Sequence, residues 1–317
     1  MLKKQKTNNN IGVIASKRTI LTRLSECWTL YLFLLPGLLV TIIFKLVPMY
    51  GIQIAFKDFI PGRPMSEAPW VGFEHFVRFF TTPDSLQIIW STVKLAFVMN
   101  ILTFPLSIIF ALMLNEVRHE KRKKFVQNIT YLPHLFSVVV VMSVTSILLA
   151  PNTGLVNLLI KKFGGEQILF YGHDKYVIPI YVITGIWQGL GSGAIMYLSA
   201  LSTIDQEQLE AAKIDGANRM RIIWNIELPA LSDTIVIMLI LQCANLFTVG
   251  TDKMLLLQTS LNLGASEIIS TYVYKIGLIN GDFAFSTAIS LFNTLVNVTC
   301  LLIVNGIAKK VSGNSVF

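Results

Sequence analysis

The chain has 317 residues, 53% of them apolar and only 14% charged, with a formal net charge of +8 and a mean hydropathy of +0.63. That is too apolar for a water-soluble domain of this length and points to a protein that crosses a membrane several times. The basic residues are scattered around apolar segments rather than gathered with aromatics on one face, which argues against nucleic-acid binding. The 3 cysteines, Cys27, Cys243 and Cys300, share no short spacing, which argues against a disulfide framework or a zinc site.

Residues 1–27 form a polar, basic tail carrying Lys3, Lys4, Lys6, Lys17, Arg18 and Arg23. The first apolar run starts near Trp28 and is too long for the core of a cleavable signal peptide. Six segments long enough to span a bilayer follow, near 28–47, 88–114, 129–150, 177–201, 234–250 and 286–308. Pro36, Pro105 and Pro133 fall inside spans and mark bends. Between the first two spans, Phe56-Lys57-Asp58-Phe59 and Trp70 to Phe76 make an aromatic-rich stretch suited to a membrane interface or to a docking surface.

Lysine and arginine bias sets the expected orientation. With the N-terminus inside, 16 of the 26 basic residues fall in the inner tails and loops and 8 in the outer ones. Lys45 and Lys94 complete the count near an outer edge, where their heads can snorkel to the headgroups. The distribution predicts cytoplasmic termini, with tails 1–27 and 309–317, and a cytoplasmic 202–233 loop.

That loop is the one long charged, helix-forming island in the second half of the chain. Asp205 is a suitable N-cap, and Gln208 three residues on completes a capping-box pattern for a helix from Gln206. Gly216 is a natural stop, because glycine takes a left-handed turn without steric cost. A second short helix fits Asn218 to Glu227, and Pro229 suits the first turn of the next apolar helix.

Several polar or small residues lie inside the spans. Gly185, Gly189 and Gly193 recur every four residues, a stripe that admits a neighbouring backbone or, with Gly191, a hinge. Gln242, Asn245 and Thr248 share a face of the fifth span, as Ser286, Ser290, Asn293 and Asn297 do in the sixth. Such stripes face the bundle interior, where they suit either a path for a neutral polyhydroxylated solute or interhelical hydrogen bonding. Gln188 beside Trp187 is a further candidate for that path. Catalysis finds no support. His75, His119, His134 and His173 are dispersed, and no glycine precedes a lysine, so no phosphate-cradling Gly-Lys loop is present and ATP must be handled elsewhere.

The run Glu210-Ala211-Ala212, three residues, Gly216, nine residues, Ile226, one residue, Leu228-Pro229 resembles the EAA motif of ABC importer permeases at every position. Leu34-Leu35-Pro36-Gly37, the 45–50 and 56–59 segments, Trp70-Val71-Gly72-Phe73-Glu74 and 268–275 look like sugar-permease subunits of the LplB type. The resemblance runs from about residue 28 to the end. It implies an all-α integral membrane protein with the six-helix fold of type I ABC importer permeases. Glu210, Ala211, Ala212, Asp215, Gly216, Ile226, Leu228 and Pro229 would then form the ATPase-coupling unit. The implied partners are a second homologous permease, two copies of a cytoplasmic ATPase that binds ATP and Mg, and an extracytoplasmic solute-binding protein. No cofactor is expected in this chain. The expected site is a bacterial-type cell membrane and the expected cargo an oligosaccharide. A gradient-driven secondary carrier and a permease for a non-sugar solute are the alternatives. The former would call for an intramembrane carboxylate or paired repeats, and neither is evident.

Overall fold

The computed structural model describes residues 28–248 and 250–312. The basic tail 1–27 and residues 313–317 lie outside the described residues. Among these residues every regular element is helical, apart from one isolated antiparallel bridge between Lys57 and Trp70. Among the described residues five helices are long and apolar enough to cross a bilayer, and a sharply bent pair brings the number to six if it is counted as one span, in agreement with the all-α class expected.

Of the described residues, 28–53 belong to one compact unit. Its helix α1 (Trp28–Thr41) carries Pro36 without ending there, then widens into a π turn at Ile42–Leu46. Val47 donates its N–H to the Ile42 carbonyl, five residues back. The wide turn stands directly before Pro48, whose ring would otherwise press on the carbonyl four residues earlier.

The second unit, from Ile54 onward, holds the remaining elements. The aromatic stretch folds on itself, with the Phe56, Phe73 and Phe76 rings mutually 5.5 Å apart. It leads through α2 (Glu74–Thr81) into the long α3 (Ser85–Asn115). The third span departs from the expected 129–150. The basic stretch expected as a loop is instead helical as α4 (Glu120–Tyr131), which meets α5 (Val138–Leu148) at 96°. Pro133 sits in the connecting 3-10 turn, Phe136 is extended, and Ser137 caps α5 by accepting the Val140 N–H at 3.3 Å. The break is therefore full where a mild bend was expected. Then come α6 (Leu155–Lys162), α7 (Asp174–Leu201), α8 (Gln206–Ile214), α9 (Arg219–Ile222), α10 (Leu228–Cys243), α11 (Thr251–Leu257), α12 (Ile269–Tyr274) and α13 (Phe283–Ser312). The helix expected over Asn218–Glu227 is not separate. It runs from α9 through a π turn at Ile223–Glu227 straight into α10, and the wide turn again precedes a proline, Pro229. The fifth helix ends at Cys243, short of the expected 250.

Buried apolar side chains gather at both ends of this unit. Leu95, Tyr181, Met254 and Ile268 belong to a cluster at the end where α3 and α7 begin, beside Phe79, Ile88, Phe285 and Ile289. Ala111, Ala194, Tyr197, Leu201, Ile204 and Leu231 form another where α3 and α7 finish. The loops at the first end are latched by polar side chains. Asn262, fully buried, donates to the Tyr171 carbonyl at 2.9 Å and accepts from Thr259 N at 2.9 Å. Arg78 pairs with Asp282 at 2.8 Å and covers the Phe285 ring at 4.1 Å.

The glycines of α7 are used differently from one another. A Cβ at Gly191 would overlap the backbone carbonyl of Thr130 in α4, whereas Gly189 has nothing within 4 Å. Gly191→Ala should therefore destabilise the protein by roughly 1–3 kcal/mol, because backbone rather than a flexible side chain must yield. Gly189→Ala should leave the thermal unfolding of detergent-purified protein close to wild type, and comparing the two melts checks the assignment.

Candidate functional site

The motif residues build a defined surface unit. Asp205 caps α8 by accepting the Glu207 N–H at 2.9 Å, at the second helical position rather than through the full capping box expected. At the other end Gly216 adopts φ +74, Gly216 N bonds Lys213 O at 3.1 Å and Ala217 N bonds Ala212 O at 2.9 Å. This is a Schellman stop that satisfies the last carbonyls. Asn218 then caps α9, accepting from Arg221 N at 2.9 Å. Leu209, Ile226 and Leu228 pack on the cluster around Leu231. Glu210, Ala211, Asp215, Gly216 and Pro229 are exposed, Ala212 is half-buried, and Ile214 stands 86% exposed at the tip. One side of the unit is fixed to the bundle and the other is bare.

The fixture is ionic as well as apolar. Glu227, inside the motif, is fully buried. Its Oε1 receives the Arg219 guanidinium at 2.7 Å and the Asn115 amide at 3.1 Å. Arg219 also pairs with Glu116, at the end of α3. One guanidinium thus holds two carboxylates from different helices. The sequence reading did not single out this cluster. A lone glutamate inside Ile226-Glu227-Leu228-Pro229, with a cation eight residues before it, was the available signal. Removing one member of a buried ion pair typically costs about 3–5 kcal/mol, because the charge left behind has no counter-charge. Arg219→Met should accordingly lower the melting temperature markedly, while the double variant Arg219→Met/Glu227→Leu should recover much of the loss. Melts of the three purified proteins test this.

Midway along the helices lies a cavity of about 420 Å³, lined by Met99, Thr103 and Ser107 of α3, Gly185, Gly189 and Gly193 of α7, and Met238 and Gln242 of α10. It occupies the gap between the two packed ends. Its volume is in the range of small-ligand sites. Thr103 and Ser107 turn their hydroxyls to their own helix carbonyls, so bare glycine backbone and Gln242 give the wall much of its polarity.

The five residues expected along a solute path do not converge there. Gln242 lines the cavity and its amide donates to Asn100 Oδ1. Gln188 is tied to the Phe136 carbonyl at 3.0 Å, at the break of the third span. Asn245 is exposed in the turn beyond α10. Asn293 donates to Phe247 O at 3.4 Å, and Asn297 accepts from Phe247 N at 2.9 Å. The last two hold the turn that ends α10, which is interhelical bonding.

A cation stands close by. Lys253 on α11 is 7% exposed, donates to the Tyr181 carbonyl at 2.8 Å and lies 4.5 Å from the Tyr181 ring centroid. Burial pulls its pKa down from the usual 10.5 to about 8, so the ammonium remains mostly protonated at neutral pH. Among the described residues no group of three or more histidine, cysteine or carboxylate side chains could hold a metal.

Residues 103–313 match the family described as binding-protein-dependent transport system inner membrane component. The chain belongs to that family. This permease is 41% identical over 288 residues to Protein LplB of Bacillus subtilis, covering 91% of each chain. It is 40% identical over 302 residues to the polygalacturonan/rhamnogalacturonan transport system permease protein YteP of the same organism, covering 95% of this chain and 94% of the relative. In three dimensions it is similar to a chain of a bacterial alginate ABC transporter solved with an alginate pentasaccharide-bound periplasmic protein. The TM-score is 0.86 at 32% identity, with 94% of this chain and 99% of that one covered. The permease is thus a multi-pass membrane subunit of an ABC importer, as the motif implied.

Proposed function

We propose that this permease is one of two membrane subunits of an ATP-driven importer that carries an oligosaccharide across a bacterial cytoplasmic membrane. The observation that carries the coupling role is the α8–α9 unit, capped at both ends, seated on the bundle by Leu209 and Ile226, and bare along Glu210, Ala211 and Ile214. A lever must be stiff, fixed at one side and accessible at the other, and this unit is all three. The chemistry of the proposed cargo comes from the relatives, of which one is named for polygalacturonan and rhamnogalacturonan and another was solved with an alginate pentasaccharide-bound partner.

In this reading two copies of a cytoplasmic ATPase bind ATP and Mg, and a cleft on each accepts the bare face of a permease coupling helix. A second homologous permease completes the membrane pair, and an extracytoplasmic solute-binding protein delivers the cargo. The chain itself hydrolyses nothing. ATP on one side and loaded binding protein on the other each favour one arrangement of the helices, and each shifts the equilibrium only by its differential affinity for the two arrangements. The basic-residue bias supports a cytoplasmic 202–233 loop and cytoplasmic termini.

Two measurements test this. In proteoliposomes holding the full importer, Ala211→Trp or Gly216→Pro should abolish ATP-dependent oligosaccharide uptake while the subunit still inserts. Uptake that survives an ionophore yet stops without ATP separates the importer from a gradient-driven carrier. Second, Lys213→Cys should be labelled by a membrane-impermeant maleimide only after the cytoplasmic side is opened. Labelling from outside intact cells would overturn the orientation and with it the coupling role.

A further inference from the structure

Lys253 has no part in the proposed coupling unit. Among the described residues no aspartate or glutamate pairs with its buried ammonium. Taking a cation out of water is costly unless charge is returned to it, and one carbonyl with one ring face returns only part. An ammonium carries three donors, and the Tyr181 carbonyl uses one.

Its position gives that incomplete satisfaction a direction. A Cβ on Gly185 would stand 3.2 Å from the Lys253 Nζ, and Gly185 itself lines the mid-helix cavity, at the end remote from the coupling unit. The ammonium therefore lies against Gly185 beside the Met99 side chain, which the same Cβ would meet first, at the margin of the cavity rather than among its lining residues. Elsewhere the lining is neutral: glycine backbone, hydroxyls bonded to their own helices, and the Gln242 amide. The lining is therefore uncharged, and the buried Lys253 ammonium stands just behind it at one end.

We propose that Lys253 is a specificity-determining residue that receives a carboxylate of the transported saccharide, the acid group of a uronic acid unit, at that end of the cavity. This rests on the oligosaccharide-permease reading above. A carboxylate can accept from the free ammonium donors and neutralise the charge, whereas a neutral hexose replaces water with hydroxyls and leaves the cation uncompensated. In a partly desolvated site such a contact discriminates more strongly than at a wet surface. A phosphate monoester carries the same sign of charge and is the competing source of an anion.

The test uses the complete importer in nanodiscs without its binding protein, so that selection by the permease is read directly. The probes are oligogalacturonate and oligomannuronate trimers, their carboxyl-reduced neutral counterparts, and a hexose 6-phosphate. Wild type should prefer at least one acidic trimer over its neutral counterpart. Lys253→Gln should weaken that trimer by about tenfold to a hundredfold, the span of a charge-assisted hydrogen bond, while neutral binding stays within about twofold. Lys253→Arg, which keeps the charge, should recover most of the affinity, a rescue that a merely structural lysine would not tie to acidic probes alone. Equal loss of acidic and neutral binding, or no preference in wild type, overturns the proposal. Lysine-dependent binding of the sugar phosphate with none of the acidic trimers overturns the carboxylate assignment. A parallel uptake assay in proteoliposomes holding the full importer and its binding protein separates the two readings: import of neutral oligosaccharides alone defeats this inference and leaves the permease reading standing, and absence of ATP-dependent import of any saccharide defeats that reading first.

Discussion

The guanidinium of Arg219, held between Glu227 and Glu116, fixes how the exposed unit proposed to couple to the ATPase relates to the helices behind it. A surface helix of nine residues is too short to be stable alone, so α8 owes its geometry to what it is seated on. The apolar contacts of Leu209 and Ile226 supply adhesion, but apolar contacts slide. A buried charge cannot slide without losing its partner. Any displacement of α9 must therefore carry Glu227 and the start of α10 along, or else break a contact that burial makes costly.

The remainder of the second unit alternates stiffness with a gap. Both ends are packed and latched, by Leu231 and Tyr197 at one and by Asn262, Arg78 and the Tyr181 cluster at the other. Between them the glycines of α7 form one wall of the cavity, where Gly185 and Gly193 let Met99 and Ser107 of α3 approach closely. At Gly189 the wall is open, since a Cβ there would meet nothing within 4 Å.

The sequence made much of this legible. Six apolar segments, the cap at Asp205, the stop at Gly216 and the seven-position motif need only composition and local stereochemistry, and each acts within a few residues. What stayed hidden depends on partners distant in sequence. Glu227 was one carboxylate among many until Arg219 and Asn115 closed on it, and Lys253 counted as a loop cation until α11 folded back onto Tyr181. Asn293 and Asn297 lie on one helical face, as their spacing requires, but the spacing does not say that the face is spent on holding the Phe247 turn. The prolines act in a graded way. Pro36 and Pro105 stay within their helices, Pro48 and Pro229 are accommodated by π turns, and Pro133 joins an extended Phe136 and a capping Ser137 to break its span. A proline's effect is set by whether its neighbours offer another partner for the freed carbonyl, which the proline alone does not encode.

One helix connects the features that matter. Glu227 and Gln242 are the clamp and the cavity wall of the same continuous element, about 22 Å apart at the usual helical rise. Past its end, Asn297 grips Phe247, and Gly250 donates to the Tyr181 hydroxyl at 3.1 Å just before Lys253. In the proposed importer, a rotation imposed at the clamp must therefore reach the cavity, because helices are stiff along their axes and the intervening contacts are specific. It must also strain the Tyr181 and Asn297 contacts, which hold the far end. In that reading these two contacts resist at one end while the ATPase acts at the other, so movement of the clamp is opposed where the helix meets the cavity rather than lost in a slack joint.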